Sequence, residues 1–290
     1  MASIGVPDVQ GYLAHLQALP NGRGGTLSPG SVRHYLNALS GLYTRAQSES
    51  VVGPGYNPVT ALLDKPTAQR KEANWLEVHA AAEFLEAART YRPPVEDGAT
   101  PWVYPIIATF LLTGGRKAEV LGLEVDDVSF QRKTITFRPN HWRRLKTTTS
   151  HRVVPLFPQL EEILREYLLS REREAPLGSL LFPSARGEGE AMIRDIRKAL
   201  DHISERAGWQ KGEVRTKAFR HTFCASALQL LDRGHPISPW TVAKWMGHGG
   251  QSLVNQIYGH LGEVRHRGEL LEYRAGAPAT AESPESVGGL

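Results

Sequence analysis

Apolar side chains recur at helical spacing along most of this chain. Two such stretches near the N-terminus, residues 9–19 and 28–46, are separated by a glycine-rich turn. Ser28 and Pro29 are typical of a helix start, because serine caps the first turn and proline fits its first position. The second helix is expected to bury one stripe, consisting of Val32, Tyr35, Leu36, Leu39, Leu42 and Tyr43. We therefore expect residues 1–64 to form a small helical unit.

A polar segment with charges and a proline follows at residues 65–74 and is interpreted as a linker. Beyond it, apolar periodicity predicts helices over residues 75–88, 102–113, 116–123, 160–169 and 192–208. β-Branched residues predict strands at 133–137 and 152–156, and a short extended piece at 179–182. The fold class is thus mainly α with a small β-sheet (α+β). The small, polar residues 275–290 are expected to be a disordered tail after a larger domain of residues 75–274.

Cations occupy three places that helix physics does not favour. Residues 218–231 predict a helix capped by Thr216, which puts Lys217 and Arg220 in a first turn where the helix dipole opposes positive charge. Arg116 is expected in the same position of another helix. A basic loop between the two strands contains Arg143, Arg144 and Lys146. Arginine presents a planar fork that fits two phosphate oxygens, so we interpret the set as a phosphodiester site. For each arginine alone, a solvated surface charge is the alternative.

A histidine and a tyrosine follow this basic set. Ser238 begins a short helix that Gly247 ends, which leaves His248 just beyond the helix end. Another apolar stripe, formed by Leu253, Val254 and Ile257, then places Tyr258 at a helix end. The chain lacks the carboxylate cluster with which many nucleases bind metal, so Tyr258 is the candidate nucleophile. A lone tyrosine is more often a packing residue, and this interpretation depends on its neighbours.

Composition narrows the classes of protein further. A hydrophobic content of 41% is enough for ordinary cores, and a net charge of +4 is compatible with a basic face that binds nucleic acid. The one cysteine, Cys224, excludes an intramolecular disulfide and is expected to be a small core residue. No apolar run is long enough to span a bilayer, and the first residues lack a signal pattern. We expect a soluble, cytoplasmic protein without membrane partners.

Five sequence boxes carry a resemblance to a known family. In this order, TGGRKAEVLGLEVDDV, LKTTTSHRVVPL, KAFRHTFCASAL, WMGHGG and NQIYGHL are similar to the signature boxes of the tyrosine recombinases, also called phage integrases. The resemblance covers residues 76–261, and SVRHYLNALSGLYTRAQ resembles that family's core-binding domain. It implies a helical DNA-binding domain at residues 1–64, one helix short, and a catalytic domain at 75–274. The two domains are expected to close on DNA as a clamp.

The resemblance also assigns roles. The catalytic residues that it implies are Arg116, Lys146, Lys217, Arg220, His248 and Tyr258, with Glu119 as the acidic residue after the first arginine. Expected DNA contacts are Arg143, Arg144, Trp142, Arg33 and His34. Tyr258 would attack the scissile phosphate to give a 3′-phosphotyrosyl link and a free 5′-hydroxyl, and Lys146 would protonate the leaving oxygen. Strands would be rejoined through a Holliday junction, with neither metal nor ATP as cofactor.

The implied partners are a double-stranded DNA recombination site and further copies of the chain, assembling from dimer to tetramer on DNA, with residues 264–273 as the exchanged element. Three other classes compete. A type IB topoisomerase would share the chemistry, whereas a DNA-binding regulator has no need of Tyr258 and His248. A metallohydrolase would need compactly spaced metal ligands, and no HExxH motif occurs.

Three positions depart from the family pattern. Lys217 stands where histidine is commonest, Gly115 replaces a common larger residue, and one extra residue separates His248 from Tyr258. The first departure leaves two roles open for Lys217. It either accepts the proton of Tyr258 or stays charged and binds the phosphate, and we favour the phosphate contact because the transition state gains negative charge.

Overall fold

The computed structural model describes residues 4–22, 24–67, 74–92, 103–145, 147, 150–174, 178–184, 190–229, 231–232, 235–250, 252 and 254. The chain divides into two compact units, residues 1–71 and 72–290. Each unit has its own hydrophobic core.

The first unit is built on two helices, α1 (Val6–Ala18) and α2 (Pro29–Ser48). As the sequence predicts, the Ser28 side chain caps α2 by accepting a hydrogen bond from the Ser31 N–H at 3.2 Å. The core of this unit consists of Val9, Leu13, Leu16, Val32, Leu36, Tyr43, Val59 and Leu62.

The apolar stripe expected on α2 is only partly buried. Val32, Leu36 and Tyr43 are buried, but 50% of Tyr35 and 57% of Leu42 remain exposed. Within the described part of this unit α1 is the only helix beside α2. A single neighbouring helix covers a narrower stripe than the sequence pattern offers, so the prediction is wrong for these two side chains.

The second unit contains seven described helices. They are α3 (Val78–Arg89), α4 (Val103–Thr113), α5 (Lys117–Leu121), α6 (Pro158–Glu174), α7 (Arg197–Arg206), α8 (Thr216–Ala227) and α9 (Pro239–Trp245). The nearly continuous apolar sequence of α4 is explained by its place, since it packs against α3, α5, α6 and α8. Phe219 of α8 lies between Phe84 and Phe110, with ring centroids at 5.3 and 6.2 Å.

A three-stranded antiparallel sheet interrupts the helices. Its order is β1 (Val128–Ser129), β2 (Thr134–Phe137) and β3 (Arg152–Pro155), and Phe137 pairs with Arg152 where β2 ends and β3 begins. The strands predicted at 133–137 and 152–156 are thus confirmed to within a residue. The fold is mainly helical with a small sheet, as predicted.

Two local predictions are wrong. The helix expected over 192–208 begins only at Arg197, because Met192 pairs with Pro183 in an isolated β-bridge. The helix expected to run to residue 231 ends at Ala227. The chain then forms a small hairpin of β4 (Leu231–Asp232) and β5 (His235–Pro236).

Candidate active site

The first part of the site is the start of α5. Arg116 is the N-cap of this helix, one position before the first turn in which the sequence places it. Its backbone N–H donates to Glu119 Oε2 at 2.8 Å, so the carboxylate three residues on satisfies an otherwise unpaired N-terminal donor. Glu119 therefore closes the helix start and faces the side chain of Arg116 at the same time.

The Arg116 guanidinium makes three contacts. Nη1 donates to Glu119 Oε1 at 2.7 Å and to Ser150 Oγ at 3.0 Å, and Nη2 donates to the Gly247 carbonyl at 3.3 Å. The side chain retains 30% of its exposure, whereas Glu119 retains 4%. Arg116 is thus anchored on one side and open to solvent on the other.

Arg220 is held by the turn before α5 and by the end of α9. The N-cap of α8 is Arg215 and not Thr216, so Arg220 lies beyond the first turn, which corrects the sequence prediction. Its Nη1 donates to the Gly114 carbonyl at 2.5 Å, and its Nη2 donates to the Met246 carbonyl. The same Nη2 lies 3.1 Å from His248 Nε2.

His248 is placed by the way α9 ends. Gly247 adopts a positive φ of 64°, and its N–H donates to the Lys244 carbonyl at 3.0 Å. The N–H of His248 reaches back to the Ala243 carbonyl at 2.9 Å. These two bonds form the Schellman ending of a helix, which explains why glycine precedes the histidine.

The remaining carbonyl groups at this helix end are satisfied by arginines. Each of the next three carbonyls accepts a hydrogen bond from a different guanidinium group. The pairs are Arg152 with Trp245 at 2.6 Å, Arg220 with Met246, and Arg116 with Gly247 at 3.3 Å. The C-terminal end of a helix carries partial negative charge, so it stabilises cations that converge there.

Sequence reasoning missed Arg152, which it treated only as part of a strand. Its Nη2 donates to Glu119 Oε2 at 2.8 Å and its Nη1 to the Ser150 carbonyl at 2.9 Å. The guanidinium lies over the Phe137 ring, 4.2 Å from the ring centroid. One signal was available in the sequence. Arg152 alternates with Val154 on the core-facing side of a strand, and a charged residue there needs buried partners.

The cluster carries excess positive charge. Arg116, Arg152 and Arg220 bring three positive charges, and Glu119 supplies one negative charge. Burial and the neighbouring Arg116 and Arg152 lower the pKa of Arg220 to about 9. Burial by itself would raise the pKa of Glu119, but Arg152 and Arg116 hold it at about 2. Two uncompensated positive charges in a partly buried site favour a bound anion.

His248 is neutral at pH 7. Burial and the cations Arg220, Arg116 and Arg152 lower its pKa to about 4. Since Arg220 can only donate, His248 Nε2 accepts and Nδ1 carries the proton. The ring is therefore fixed by Arg220 through Nε2, and its Nδ1–H is a buried donor without a partner among the described residues.

Of the other three predicted catalytic residues, Lys217 is among the described residues and Lys146 and Tyr258 are not. Lys217 is exposed on α8. Burial, with the nearby charges of Lys217 and Arg220, lowers the pKa of His221 to about 4. Lys146 and Tyr258 lie outside the described residues, as do residues 255–290. The structure thus brings together Arg116, Arg220 and His248.

The DNA contact predicted for Arg143 is wrong. Its guanidinium is fully buried, where Nη2 donates to Asp127 Oδ2 at 3.0 Å and Nη1 to the Glu119 carbonyl at 2.9 Å. Arg143 has no exposed side-chain surface, unlike Arg116, and is therefore not available to phosphate. Its neighbour Arg144 is exposed, and the indole N–H of Trp142 donates to Ser179 Oγ at 3.2 Å. Arg33 and His34 are exposed on α2 of the first unit.

The glycine that replaces a larger residue has a structural reason. A Cβ at Gly115 would lie 2.5 Å from Val120 Cγ2 and 2.9 Å from Phe137 Cζ, so no side chain fits.

Cys224 is buried, which raises the pKa of its thiol to about 12 and agrees with its expected place in the core. The described residues contain no metal-ligand cluster of His, Cys, Asp and Glu side chains, and no helix among them is long and apolar enough to cross a membrane.

The chain is similar in sequence to known DNA recombinases. The sequence model of the phage integrase family matches residues 74–264. Tyrosine recombinase XerD of Corynebacterium glutamicum is 28% identical over 87% of this chain and 77% of its own. Tyrosine recombinase XerD of Mycobacterium tuberculosis is 27% identical, and the match covers 89% of this chain and 78% of the XerD chain.

Two solved structures share the fold. The Tn1549 transposon integrase bound to a circular intermediate DNA gives a TM-score of 0.67 at 16% identity, covering 89% of this chain and 82% of that one. The XerH site-specific recombinase in a post-cleavage complex with palindromic difH substrate gives a TM-score of 0.63 at 19% identity. This match covers 90% of this chain and 70% of the XerH chain.

Proposed function

Because the chain belongs to the phage integrase family, we propose that it is a site-specific DNA recombinase that cleaves and rejoins strands through a tyrosine. The observation that carries this proposal is the meeting of Arg116, Arg220 and His248 at the C-terminal end of α9. Relatives named tyrosine recombinases support it, as do fold neighbours whose structures contain recombination-site DNA.

The proposed chemistry begins with attack of the Tyr258 oxygen on the scissile phosphate, while substrate or water takes the phenolic proton. Arg116 and Arg220 stabilise the negative charge that the phosphorane gains, and His248 bonds to one of its oxygens. Lys146 protonates the leaving 5′-oxygen. The phosphate ester energy is kept in the 3′-phosphotyrosyl link, so the hydroxyl of a partner strand can reseal the DNA through a Holliday junction. Neither ATP nor a metal takes part in this scheme.

The proposal is tested by trapping covalent protein–DNA adducts from fragmented genomic DNA and sequencing the attached fragments. We expect a defined site to be enriched, with the protein attached to the 3′ phosphate at the break. Exchange between two duplexes bearing that site distinguishes a recombinase from a type IB topoisomerase, which relaxes supercoils without pairing sites. Adducts at unrelated sequences, or none, would reject the proposal.

The first unit is proposed to be the second DNA-binding half. We propose that residues 1–64 form a core-binding domain, that residues 65–74 connect it to the catalytic domain at 75–274, and that both contact one duplex. Residues 275–290, predicted to be a disordered tail, lie outside the described residues. Arg33 and His34, both exposed on α2, support a phosphate-binding surface.

Replacing Arg33 by alanine tests this half in the full chain. We expect weaker binding to any duplex and a salt dependence of log K that is shallower by about one unit, because one phosphate contact releases about one counterion. Binding measured between low and moderate salt gives both quantities. Arg45→Ala on the same helix is the control, since Arg45 is paired with Glu49 at 2.8 Å. Equal slopes for Arg33→Ala and wild type would remove Arg33 from the DNA surface.

Lys217 is proposed to contact the phosphate as a cation. Its exposure at the start of α8 leaves the ammonium able to reach a bound anion, and the developing dianion attracts it. Under this role Lys217→Arg keeps much of the cleavage rate, whereas Lys217→Met loses it without moving the pH optimum. Single-turnover cleavage across a pH series measures both. If arginine is as damaging as methionine and the acid limb of the profile vanishes in both variants, Lys217 is instead the proton acceptor.

Strand exchange requires two duplexes and four active sites. We therefore propose that monomers assemble from dimer to tetramer on DNA, with residues 264–273 as the exchanged element.

We also propose a cytoplasmic location. The DNA substrate and the single unpaired thiol of Cys224 support it.

A further inference from the structure

Arg152 combines features that a DNA-contacting arginine lacks. Its side chain is only 4% exposed, compared with 30% for Arg116. It donates in three directions, to Glu119, to the Ser150 carbonyl and to the Trp245 carbonyl. The phosphate is thus out of its reach, yet its partners belong to the elements that hold Arg116 and His248.

We propose that Arg152 is a positioning residue for the cleavage reaction, which ties the carboxylate of Glu119 to the C-terminal turn of α9 and so fixes Arg116 and His248 against the scissile phosphate. This inference rests on the function proposed above. Arg152 acts through its neighbours and does not touch the DNA.

The first step of the argument is the competition for Glu119. One carboxylate oxygen faces Arg116 Nη1 at 2.7 Å and the other faces Arg152 Nη2 at 2.8 Å. Arg–carboxylate pairs readily become bidentate. Without Arg152, Oε2 would keep only the backbone N–H of Arg116, and its second lone pair would be available for a bidentate pair with the Arg116 guanidinium, which would neutralise the cation that the phosphate needs. Arg152 therefore keeps one oxygen of Glu119 occupied.

The second step is the placement of α9. Arg152 Nε satisfies the Trp245 carbonyl, which lies beside the Met246 and Gly247 carbonyls that bind Arg220 and Arg116. A Cβ on Gly247 would lie 3.1 Å from Arg152 Nη1, so the guanidinium packs closely against the turn before His248. A small shift of this turn moves the histidine, and a displacement of about 1 Å can cost about 100-fold in rate.

The third step is the shape of the group. Only a planar guanidinium can donate to three acceptors in fixed directions while stacking on the Phe137 ring at 4.2 Å. A lysine keeps the charge but offers a single nitrogen. Arg152→Lys is therefore the informative change, because it separates positive charge from geometry.

The test is single-turnover cleavage with protein in excess over a nicked suicide duplex that carries the sequence recovered from trapped adducts. We expect Arg152→Lys and Arg152→Gln to bind the duplex with a dissociation constant within about threefold of wild type and to cleave it more than about tenfold more slowly. Misfolded protein lowers the amplitude of the reaction, whereas positioning lowers its rate constant.

Arg171→Lys is the matched control. Arg171 is also a buried arginine, and its Nη1 donates to the Leu180 and Leu181 carbonyls at 3.0 and 2.8 Å in another part of the same unit. We expect this variant to lower the unfolding temperature and to leave the cleavage rate constant within about threefold of wild type.

The outcomes are distinct. Wild-type rate constants in either folded Arg152 variant would overturn the inference, as would failure of both variants to fold, which would make Arg152 a folding residue. Equal slowing in Arg171→Lys would also overturn it, because any buried-arginine change would then have the same effect. Absence of adduct with wild-type protein would reject the proposed function instead.

Discussion

Replacing Tyr258 by phenylalanine should abolish the covalent protein–DNA adduct while DNA binding stays within about twofold of wild type. The change removes only the phenolic oxygen, and without a nucleophile no phosphotyrosyl ester can form, however well the phosphate is bound. The measurement uses the nicked suicide duplex. Cleavage beside the nick releases a short fragment that carries the free 5′-hydroxyl, so the strand cannot be rejoined and cleaved complexes accumulate. Denaturing gels then separate the protein-linked strand from the uncleaved one.

Tyr91→Phe is the matched control for this experiment. Tyr91 lies in the same unit and stacks on His202 with ring centroids at 6.3 Å, a contact that phenylalanine preserves. We expect the Tyr91→Phe protein to form adduct at the wild-type rate. Adduct that persists in Tyr258→Phe and disappears in another tyrosine variant would place the nucleophile elsewhere.

The second large effect is expected at Arg220. Its guanidinium contacts the Gly114 carbonyl, the Met246 carbonyl and His248 Nε2 together, which no lysine can reproduce. Arg220→Lys should therefore lower the cleavage rate constant about 100- to 1,000-fold, the usual loss when a preorganised donor to the transition state is removed. Binding of the duplex should weaken far less, because most of its affinity comes from phosphates away from the scissile one.

Single-turnover cleavage and binding are measured on the same preparations, with Arg171→Lys as the control for disturbance of a buried arginine. If Arg220→Lys cleaves within a few-fold of wild type, the cluster at the end of α9 is not the phosphate site. If binding and cleavage fall together, Arg220 contributes to general DNA affinity and not to the transition state.

Local sequence rules account for most helices of this protein. The Ser–Pro starts at Ser28 and Ser238 are confirmed as N-caps, each accepting a backbone N–H three residues on. The glycine predicted to end α9 does so with a positive φ. These signals are short-range, since a cap or a turn glycine is chosen by the few residues around it. The signature boxes are equally local, because each is a short run of neighbouring residues, and their order along the chain indicates the family.

Where local signals compete, the sequence decided less. Thr216 is a better capping residue than Arg215, yet Arg215 is the N-cap of α8. Arg215 forms an ion pair with Asp201 at 2.6 Å, a contact to another helix. The exposed Tyr35 and Leu42 on α2 show the same limit, because periodicity indicates an apolar stripe and not the number of neighbours that cover it.

The sequence by itself determined most of the helices, the strands β2 and β3, the family and the positions of Arg116, Arg220 and His248 in its boxes. Only the tertiary structure decided which arginines face the site. Arg143, expected to bind DNA, is buried against Asp127, whereas Arg152, predicted only as a strand residue, joins Glu119 to the end of α9. The physical reason is that the role of a cation depends on its acceptors and its burial, and these come from residues far away along the chain.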